Sequence, residues 1–266
     1  MRPDEDGPRP RALVIGASAG IGRATAVRLC ELGFDVAAVG RRSERLDELQ
    51  HRTGARPIVA DLADSEQCRQ LVGQAAEQLG GFDLIVHAAS SSGLSLLEDT
   101  DAEAWHAILQ LNVVAPALML RAALPHLARN AVCALISSEI VGNPYAGLTP
   151  YAVSKAALEE LVRGWREEHP ELRFCALRVG ATDGTEFARG FDPEIAASLL
   201  PRWIAQGRIP DQFIDVIQLG NAIAQTLDLA ARSPTIDVQD LVIRAAGGAG
   251  QADVAELMDK LEEHRA

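Results

Sequence analysis

Short, continuous apolar runs alternate along the chain with longer stretches in which apolar residues recur at helical spacing. The short runs are typical of strands buried on both faces of a parallel sheet, and they cover residues 12–15, 36–39, 57–60, 84–86, 132–136, 174–177 and 241–243. The helical stretches cover residues 21–32, 65–79, 109–127, 150–168 and 214–231. This repeated order predicts an α/β fold, a doubly wound parallel sheet of about seven strands with helices on both faces.

Three segments fall outside this alternation. Residues 1–11 are charged and proline-rich, so we expect a disordered lead-in before a single domain over residues 12–266. The pattern of residues 182–215 predicts an insertion that acts as a mobile apolar lid over a substrate. Ordinary helix packing explains their apolar side chains about as well. The lid's aromatic residues are Phe187, Phe191, Trp203 and Phe213. Residues 251–265 have the pattern of a final amphipathic helix.

Composition narrows the classes of partner. The chain is 48% hydrophobic and 23% charged, and it shows no apolar run of about 18 residues that would indicate a membrane span. Its net charge of −12 disfavours nucleic acid and anionic membrane surfaces as partners. The first residues lack the apolar centre of a secretory leader, so we expect a cytoplasmic protein.

The cysteines and histidines do not indicate a metal centre. The cysteines are widely separated and lie in apolar or helical contexts, which favours buried free thiols over disulfides or metal ligands. They are Cys30, Cys68, Cys133 and Cys175. The six histidines show no zinc-like pairing, so we expect no metal.

A glycine-rich turn follows the first predicted strand and leads into a helix. Its glycines are Gly16, Gly20 and Gly22, with Ser18 and Ile21 between them. Glycine allows a tight turn and a close approach of the backbone to a pyrophosphate, and a helix N-terminus presents free N–H groups to it. The context predicts a Rossmann-type dinucleotide site. A purely structural turn is the alternative.

The ends of the second and third predicted strands bear on which dinucleotide binds. Gly40 stands where NAD-selecting proteins tend to place an acidic residue for the ribose hydroxyls, and Arg41 and Arg42 follow it. A guanidinium suits the 2′-phosphate of NADP, so we expect NADP(H) to be preferred and NAD(H) to remain possible. Both arginines could instead be solvated. Asp61, followed by Leu62, could hold the adenine or simply cap a helix.

A tyrosine and a lysine stand four residues apart in a predicted helix. The chain has only two tyrosines, and Tyr151 precedes Lys155 in Tyr-Ala-Val-Ser-Lys, thirteen residues after Ser138. Positions i and i+4 share one face of a helix. A nearby ammonium favours the phenolate, so we expect Lys155 to lower the pKa of Tyr151 toward the working pH for general acid–base catalysis.

Together these motifs resemble the short-chain dehydrogenase/reductase family, in its compact single-domain branch, over residues 11–248. The glycine pattern and Asp61 match, and so do the four residues of the family's catalytic tetrad, which here would be Asn112, Ser138, Tyr151 and Lys155. The resemblance implies that Tyr151 transfers a proton, Ser138 orients the substrate oxygen, Lys155 binds the nicotinamide ribose and Asn112 supports a water relay. Ser137 is an adjacent competitor for the role of Ser138.

Further cofactor contacts are implied by the same resemblance. They would come from Ala88, Gly180, Thr182 and Thr185. Three positions depart from the family pattern: Ile15 replaces a threonine, the segment from His87 to Ser90 replaces Asn-Asn-Ala-Gly, and Val179 precedes Gly180 in place of proline. These departures affect the local packing after the fourth strand and the nicotinamide contacts after the sixth.

The implied activity is an NADP-dependent interconversion of a secondary alcohol and a carbonyl on an apolar small molecule. Two alternatives stay open: an epimerase or dehydratase acting on a nucleotide sugar, and a sensor that binds the dinucleotide without turnover. The family also implies a homo-oligomer, a tetramer or dimer built through the helices predicted at residues 109–127 and 150–168.

Overall fold

A seven-stranded sheet forms the centre of the computed structural model, which describes residues 8–247. Neighbouring strands are parallel throughout, in the order β3-β2-β1-β4-β5-β6-β9. The strands are β1 Arg11–Ile15, β2 Asp35–Gly40, β3 Arg56–Val59, β4 Phe82–His87, β5 Leu127–Ser138, β6 Arg173–Val179 and β9 Asp240–Ile243. Two short strands, β7 Thr182–Asp183 and β8 Ile214–Asp215, pair with each other outside this sheet. The predicted fold class is confirmed.

Helices cover both faces of the sheet. They are α1 Gly20–Glu31, α2 Ser43–Thr53, α3 Ser65–Leu79, α4 Ala102–Leu109, α5 Ala115–Ala123, α6 Thr149–Glu168, α7 Pro193–Ala205 and α8 Val216–Arg232. A π-helical turn, Gln110–Val114, joins α4 to α5.

Successive residues of a strand face opposite helical layers, which explains the continuous apolar runs. In β1, Ala12 and Val14 pack with α1 and α8, whereas Leu13 and Ile15 pack with α3, α5 and α6. A third apolar cluster lies under α7, between it and the start of α6. Both faces of the sheet are therefore covered by core.

Several boundaries differ from the predicted ones. β1 begins at Arg11, the last residue of the predicted lead-in, and the guanidinium of Arg11 pairs with Asp83 at the start of β4. The helical stretches given from the sequence do not include α2, α4 and α7. In α2 only Leu46 and Leu49 are buried, so its helical period was hidden among charged residues. The predicted helix at residues 251–265 lies outside the described residues.

One helical stretch bears on the expectation that the chain has no membrane span. Among the described residues, the helical stretch Ala102–His126 is 25 residues long and apolar enough to pass a length and composition test for a membrane span. The sequence predicts one helix over residues 109–127, and polar residues interrupt the apolar positions of this stretch. Met119 and Ala123 of this stretch lie in the core against the sheet. A core helix passes the same test, so the finding is weak evidence for a membrane.

Candidate functional site

A cleft of about 950 Å³ lies at the carboxyl ends of the sheet strands. Loops that follow β1, β2, β3, β4 and β6 line it, together with the end of β5 and the start of α6. This edge, where the strand order reverses between β1 and β4, is where open α/β sheets bind ligands. The cleft is lined by all the residues expected to contact the cofactor and by three of the four expected catalytic residues; Asn112 is the exception.

The glycine loop is shaped by close backbone packing. Gly16 has a φ of +87°, and a Cβ there would lie 2.6 Å from the backbone nitrogen of Ala89. A Cβ on Gly22 would lie 2.3 Å from the carbonyl oxygen of Gly16. Neither site accepts a side chain, so these glycines bring β1, α1 and the end of β4 together.

The N-terminus of α1 faces the cleft, and the side chain of its N-cap residue bonds none of the first backbone donors. The helix begins at Gly20, its N-cap residue Ala19 makes no side-chain bond, and its first turn holds no acidic residue. Free N–H groups and the positive end of the helix dipole suit an anion. Ser18 and Ile21 lie beside them in the cleft wall. The residues present therefore fit a pyrophosphate.

The two arginines after β2 differ in environment. Arg42 reaches across the cleft, where its Nη1 and Nη2 atoms donate to Oε1 and Oε2 of Glu186 at 2.5 and 2.9 Å. Arg41 is exposed and forms no ion pair with another described residue. Both line the cleft, beside Gly40, where a Cβ would come within 2.8 Å of Ser18.

Asp61 does not cap a helix. Its Oδ1 accepts a hydrogen bond from the backbone N–H of Ala63, whereas Asp64 caps α3 by accepting from the backbone of Glu66 and Gln67. The capping alternative for Asp61 is therefore wrong. The buried Leu62 lies next to it in the cleft wall.

Tyr151 and Lys155 lie one helical turn apart near the start of α6, where Pro150 occupies a first-turn position. Both side chains are buried. The Nζ atom of Lys155 donates to the carbonyl oxygen of Ile136 at 2.8 Å and lies 5.7 Å from the centroid of the Tyr151 ring. The predicted sharing of one helix face is confirmed.

The expected effect of Lys155 on the tyrosine pKa is wrong in this structure. Burial raises the pKa of Tyr151 to about 12, although hydrogen bonding with Ser138 and Ser90 acts in the opposite direction. Burial also lowers the pKa of Lys155 to about 7, against the attraction of Glu159. Removal from water disfavours the charged form of both groups, and this outweighs their neighbours.

The two serines at the end of β5 have different partners. Ser137 donates to Oε1 of the buried Glu159 at 2.6 Å, and Arg178 binds the same carboxylate at 2.7 and 2.5 Å. Ser138 faces the cleft, and its Oγ accepts a hydrogen bond from the backbone N–H of Ile140. Because the Ser137 hydroxyl is directed at Glu159, the geometry favours Ser138, rather than Ser137, as the serine that acts beside Tyr151.

The buried Asn112 side chain forms hydrogen bonds to two different segments of the fold. Its Nδ2 donates to the carbonyl oxygen of Ser91 at 2.8 Å and to Ser154 Oγ at 2.9 Å. Its Oδ1 accepts from the backbone N–H of Ser91 and from Ser90 Oγ, at 2.9 and 3.1 Å. The side chain thereby ties the loop after β4 to α6, and its role in a water relay stays a prediction.

The segment predicted to be a lid lies over the cleft. The ring of Phe187 packs edge-on against Tyr151, with the centroids 5.3 Å apart, and against Phe191 at 5.4 Å. Trp203 of α7 donates through Nε1 to the carbonyl oxygen of Ala146 at 3.0 Å. Phe213 also lines the cleft. Phe191, Trp203 and Phe213 also belong to the third apolar cluster, so the segment lines the cleft and packs as a core.

The remaining expected cofactor contacts come from the loops after β4 and β6. Thr182 Oγ1 donates to the carbonyl oxygen of Gly180 at 2.8 Å, and Thr185 Oγ1 donates to that of Thr182 at 3.3 Å. Ala88 continues β4 by donating its N–H to Ile15. Each of the four lines the cleft.

Sequence reasoning missed three polar residues at the site: Ser90, Glu159 and Glu186. Ser90 stands where the family pattern has glycine, so the departure itself was a signal. Glu159 follows Lys155 by one turn and could have been noticed by its spacing. Glu186 lies 144 residues from its partner Arg42, and no local pattern signals that contact.

The cysteine, histidine and acidic side chains of residues 8–247 are dispersed. In that part of the chain, no group of three or more histidine, cysteine, aspartate and glutamate side chains is placed to hold a metal ion. All four cysteines are free thiols; Cys68, Cys133 and Cys175 are buried as predicted, whereas Cys30 is only partly buried.

Comparison with known proteins places this geometry in a family. The family model described as short chain dehydrogenase matches residues 10–195. A short chain dehydrogenase of Pseudocercospora fijiensis is 36% identical over 158 residues, which are 56% of this chain and 51% of the relative. The chain thus spans about half the length of that relative.

Two further relatives cover more of the chain. A probable NADP-dependent dehydrogenase of Haemophilus influenzae is 30% identical over 184 residues, 66% of this chain and 73% of that protein. The crystal structure of a short chain dehydrogenase from Burkholderia cenocepacia in complex with NADP is 28% identical, with a TM-score of 0.77 over 90% of this chain and 97% of that one. On the matched motifs, the sheet and these relatives, the chain belongs to the short-chain dehydrogenase/reductase family.

Proposed function

We propose that the protein is an NADP(H)-dependent oxidoreductase that interconverts a secondary alcohol and a carbonyl on an apolar small molecule. One observation carries the proposal: the buried Tyr151 hydroxyl lies in the same cleft as Ser138, Lys155 and an uncapped helix N-terminus that fits a pyrophosphate. A proton donor and a dinucleotide site in one cleft are what hydride exchange at a carbon–oxygen bond requires.

The chain's own groups have distinct roles in this proposal. Tyr151, whose pKa is raised to about 12, stays protonated at neutral pH and donates its proton to the carbonyl oxygen of a substrate. Ser138 hydrogen-bonds that oxygen, and Lys155 holds the nicotinamide ribose. NADP(H), when bound, would supply or accept the hydride.

The lid supports an apolar substrate. Phe187, Phe191 and Trp203 line the cleft on the side of Tyr151, and Leu200 and Ile209 extend the same wall. Apolar walls with a few convergent polar groups are typical of small-molecule sites, and they exclude water from the reacting atoms.

The choice of NADP(H) rests on Gly40, Arg41 and Arg42. The strand end offers no carboxylate for the ribose hydroxyls, and two guanidinium groups line the cleft beside it. A hydrogen bond to a charged group contributes about 1.5–3 kcal/mol, and about 1.4 kcal/mol is tenfold in affinity. One such contact corresponds to a preference of roughly ten- to a hundredfold for NADPH.

The test is a titration of the purified protein with NADPH and with NADH, followed by a screen for NADPH oxidation over apolar ketones and aldehydes. We expect tighter NADPH binding and turnover of at least one carbonyl compound, and we expect Arg41→Ala to raise the NADPH Kd. Equal Kd values, or tighter NADH, would refute the phosphate assignment. Binding without turnover across the screen would favour the sensor alternative.

A further inference from the structure

An ion pair bridges the two sides of the cleft near the end of β2. Arg42, which follows β2, binds both carboxylate oxygens of Glu186 in the lid, and its Nη2 also lies 3.4 Å from Ser18 Oγ in the glycine loop. Arg189 approaches the same carboxylate at 3.5 Å. The Arg42 hydrogen bond holds the pKa of Glu186 below its usual value, so Glu186 is ionised at neutral pH.

Phe187, which follows Glu186, packs over the ring of Tyr151, the proposed proton donor. The Phe187 ring lies edge-on against Tyr151 with its centroid 5.3 Å away, and the Phe187 carbonyl oxygen accepts a hydrogen bond from Ser92 Oγ. A two-residue segment therefore connects the guanidinium at one end of the cleft to the catalytic tyrosine at the other. A shift of Glu186 moves the backbone that carries Phe187.

We propose that Glu186 competes with the 2′-phosphate of NADP(H) for Arg42, and that this exchange of partners releases Phe187 from Tyr151. The inference rests on the proposed function, because it needs a dinucleotide in this cleft. It makes Glu186 a residue that determines cofactor specificity from the lid rather than from the end of β2.

The exchange follows from charge and geometry. A phosphate and a carboxylate repel each other, so both are disfavoured on one guanidinium at the distances seen here. The guanidinium fork fits either anion in bidentate form. NADH carries no group that replaces the carboxylate, so the contact of Glu186 with Arg42 persists when it binds. The two cofactors therefore leave Phe187 in different positions.

The size of the effect follows from exposure of the pair. The Arg42 and Glu186 side chains are 33% and 42% exposed, and exposed pairs contribute up to about 1 kcal/mol, or roughly fivefold in affinity. Removal of the Glu186 charge also ends its repulsion of the 2′-phosphate, which adds to the gain in NADPH affinity. We therefore expect Glu186→Gln to lower the NADPH Kd by about two- to tenfold and to leave the NADH Kd within about twofold of wild type.

The matched control is Glu194→Gln. Glu194 is exposed in the first turn of α7 and is not among the cleft-lining residues. Its substitution by glutamine removes the same charge from the same lid. Its NADPH Kd should equal that of wild type. A decrease as large as that of Glu186→Gln would mean that only net charge matters, and would overturn the competition.

A second measurement follows the lid without turnover. Hydrogen exchange of backbone amides 185–191 is compared in the presence of adenosine 2′,5′-bisphosphate and of adenosine 5′-monophosphate. We expect faster exchange with the bisphosphate in wild type, and no difference between the two nucleotides in Glu186→Gln. Identical exchange with both nucleotides in wild type would overturn the release of Phe187.

The outcomes separate this inference from the proposed function. If wild type prefers NADPH and Glu186→Gln leaves the NADPH Kd unchanged, the competition is wrong and the cofactor choice stands. If Glu186→Gln weakens NADH binding, Glu186 holds the ribose hydroxyls and the competition is wrong. If wild type binds neither reduced cofactor, both the function and the inference fall.

Discussion

Glu159 lies one helical turn after Lys155, and its buried carboxylate opposes the effect of burial, which lowers the pKa of Lys155 to about 7. The carboxylate is itself held by Ser137 and by Arg178, two residues on neighbouring strands. The charge on the lysine therefore depends on a network that extends to Arg178 on β6.

Glu159→Gln should reduce the charge on Lys155. Without the carboxylate the pKa of Lys155 falls further, so the amine loses its proton at a lower pH. If the ammonium form holds the ribose, the alkaline limb of kcat/KM for NADPH moves to lower pH, with about a tenfold loss of rate per pH unit of displacement. Glu160→Gln, an exposed neighbour paired with Arg163, is the control and should not move the limb. An unmoved limb in Glu159→Gln would refute the coupling.

Asn112→Ala should destabilise the fold. The Asn112 side chain joins the loop after β4 to α6 through four hydrogen bonds, and each contributes about 0.5–1.5 kcal/mol. We expect a loss of roughly 2–4 kcal/mol in the free energy of unfolding, measured with denaturant. The exposed Asn143→Ala should lose well under 1 kcal/mol. Similar values for both variants would contradict the structural role.

Residues that act through their immediate neighbours could be predicted from the sequence. The spacing of Tyr151 and Lys155 fixes a shared helix face once the helix is recognised, and the glycines of the first loop report a backbone constraint directly. Ser138 was chosen over Ser137 by spacing to Tyr151, and the partner of Ser137 explains why its hydroxyl is engaged elsewhere.

Properties that depend on distant parts of the chain could not be predicted. Burial raises the pKa of Tyr151 to about 12 and outweighs the hydrogen bonds with Ser138 and Ser90, and that burial comes from parts of the chain far from the helix. The partner of Arg42 lies on a loop 144 residues away. Asp61 and Asp64 both suit a helix cap by residue type, and only the backbone geometry separates them.

His87 should make the protein sensitive to mild acid. Burial lowers the pKa of His87 to about 3, the Lys155 charge adds to this, and the His87 Nε2 atom has no hydrogen-bond partner among the described residues. The unfolded chain takes up a proton below pH 6.5 while the folded chain stays neutral at this site. Stability is therefore fully present above pH 6.5 and falls toward pH 3, by about 1.4 kcal/mol per pH unit.

His87→Asn should remove that slope between about pH 6 and pH 5, because asparagine does not titrate. Denaturant unfolding at a series of pH values measures it. The exposed His51→Asn keeps the wild-type slope. If His87→Asn and wild type lose stability in parallel over that range, the histidine carries a proton in the folded state and the assignment fails.

The protein should form a homo-oligomer through the helices beside the cleft. Val114, the last residue of the π-helical turn before α5, and Val153, on α6, are large apolar residues with 39% and 44% of their surface exposed. We expect a dimer or tetramer by light scattering at micromolar concentration, and a smaller mass for Val153→Glu. Leu229→Glu, an equally apolar exposed position on α8, is the control. A monomeric wild type would contradict the assembly.

Proton transfer by Tyr151 is tested most directly by single-turnover oxidation of bound NADPH with a carbonyl substrate that wild type reduces. Tyr151→Phe removes only the hydroxyl and keeps the ring that packs against Phe187. We expect the rate to fall by about 10²–10⁴-fold while the NADPH Kd stays within about twofold of wild type. A rate near that of wild type in Tyr151→Phe, with the same NADPH Kd, would show that another group delivers the proton.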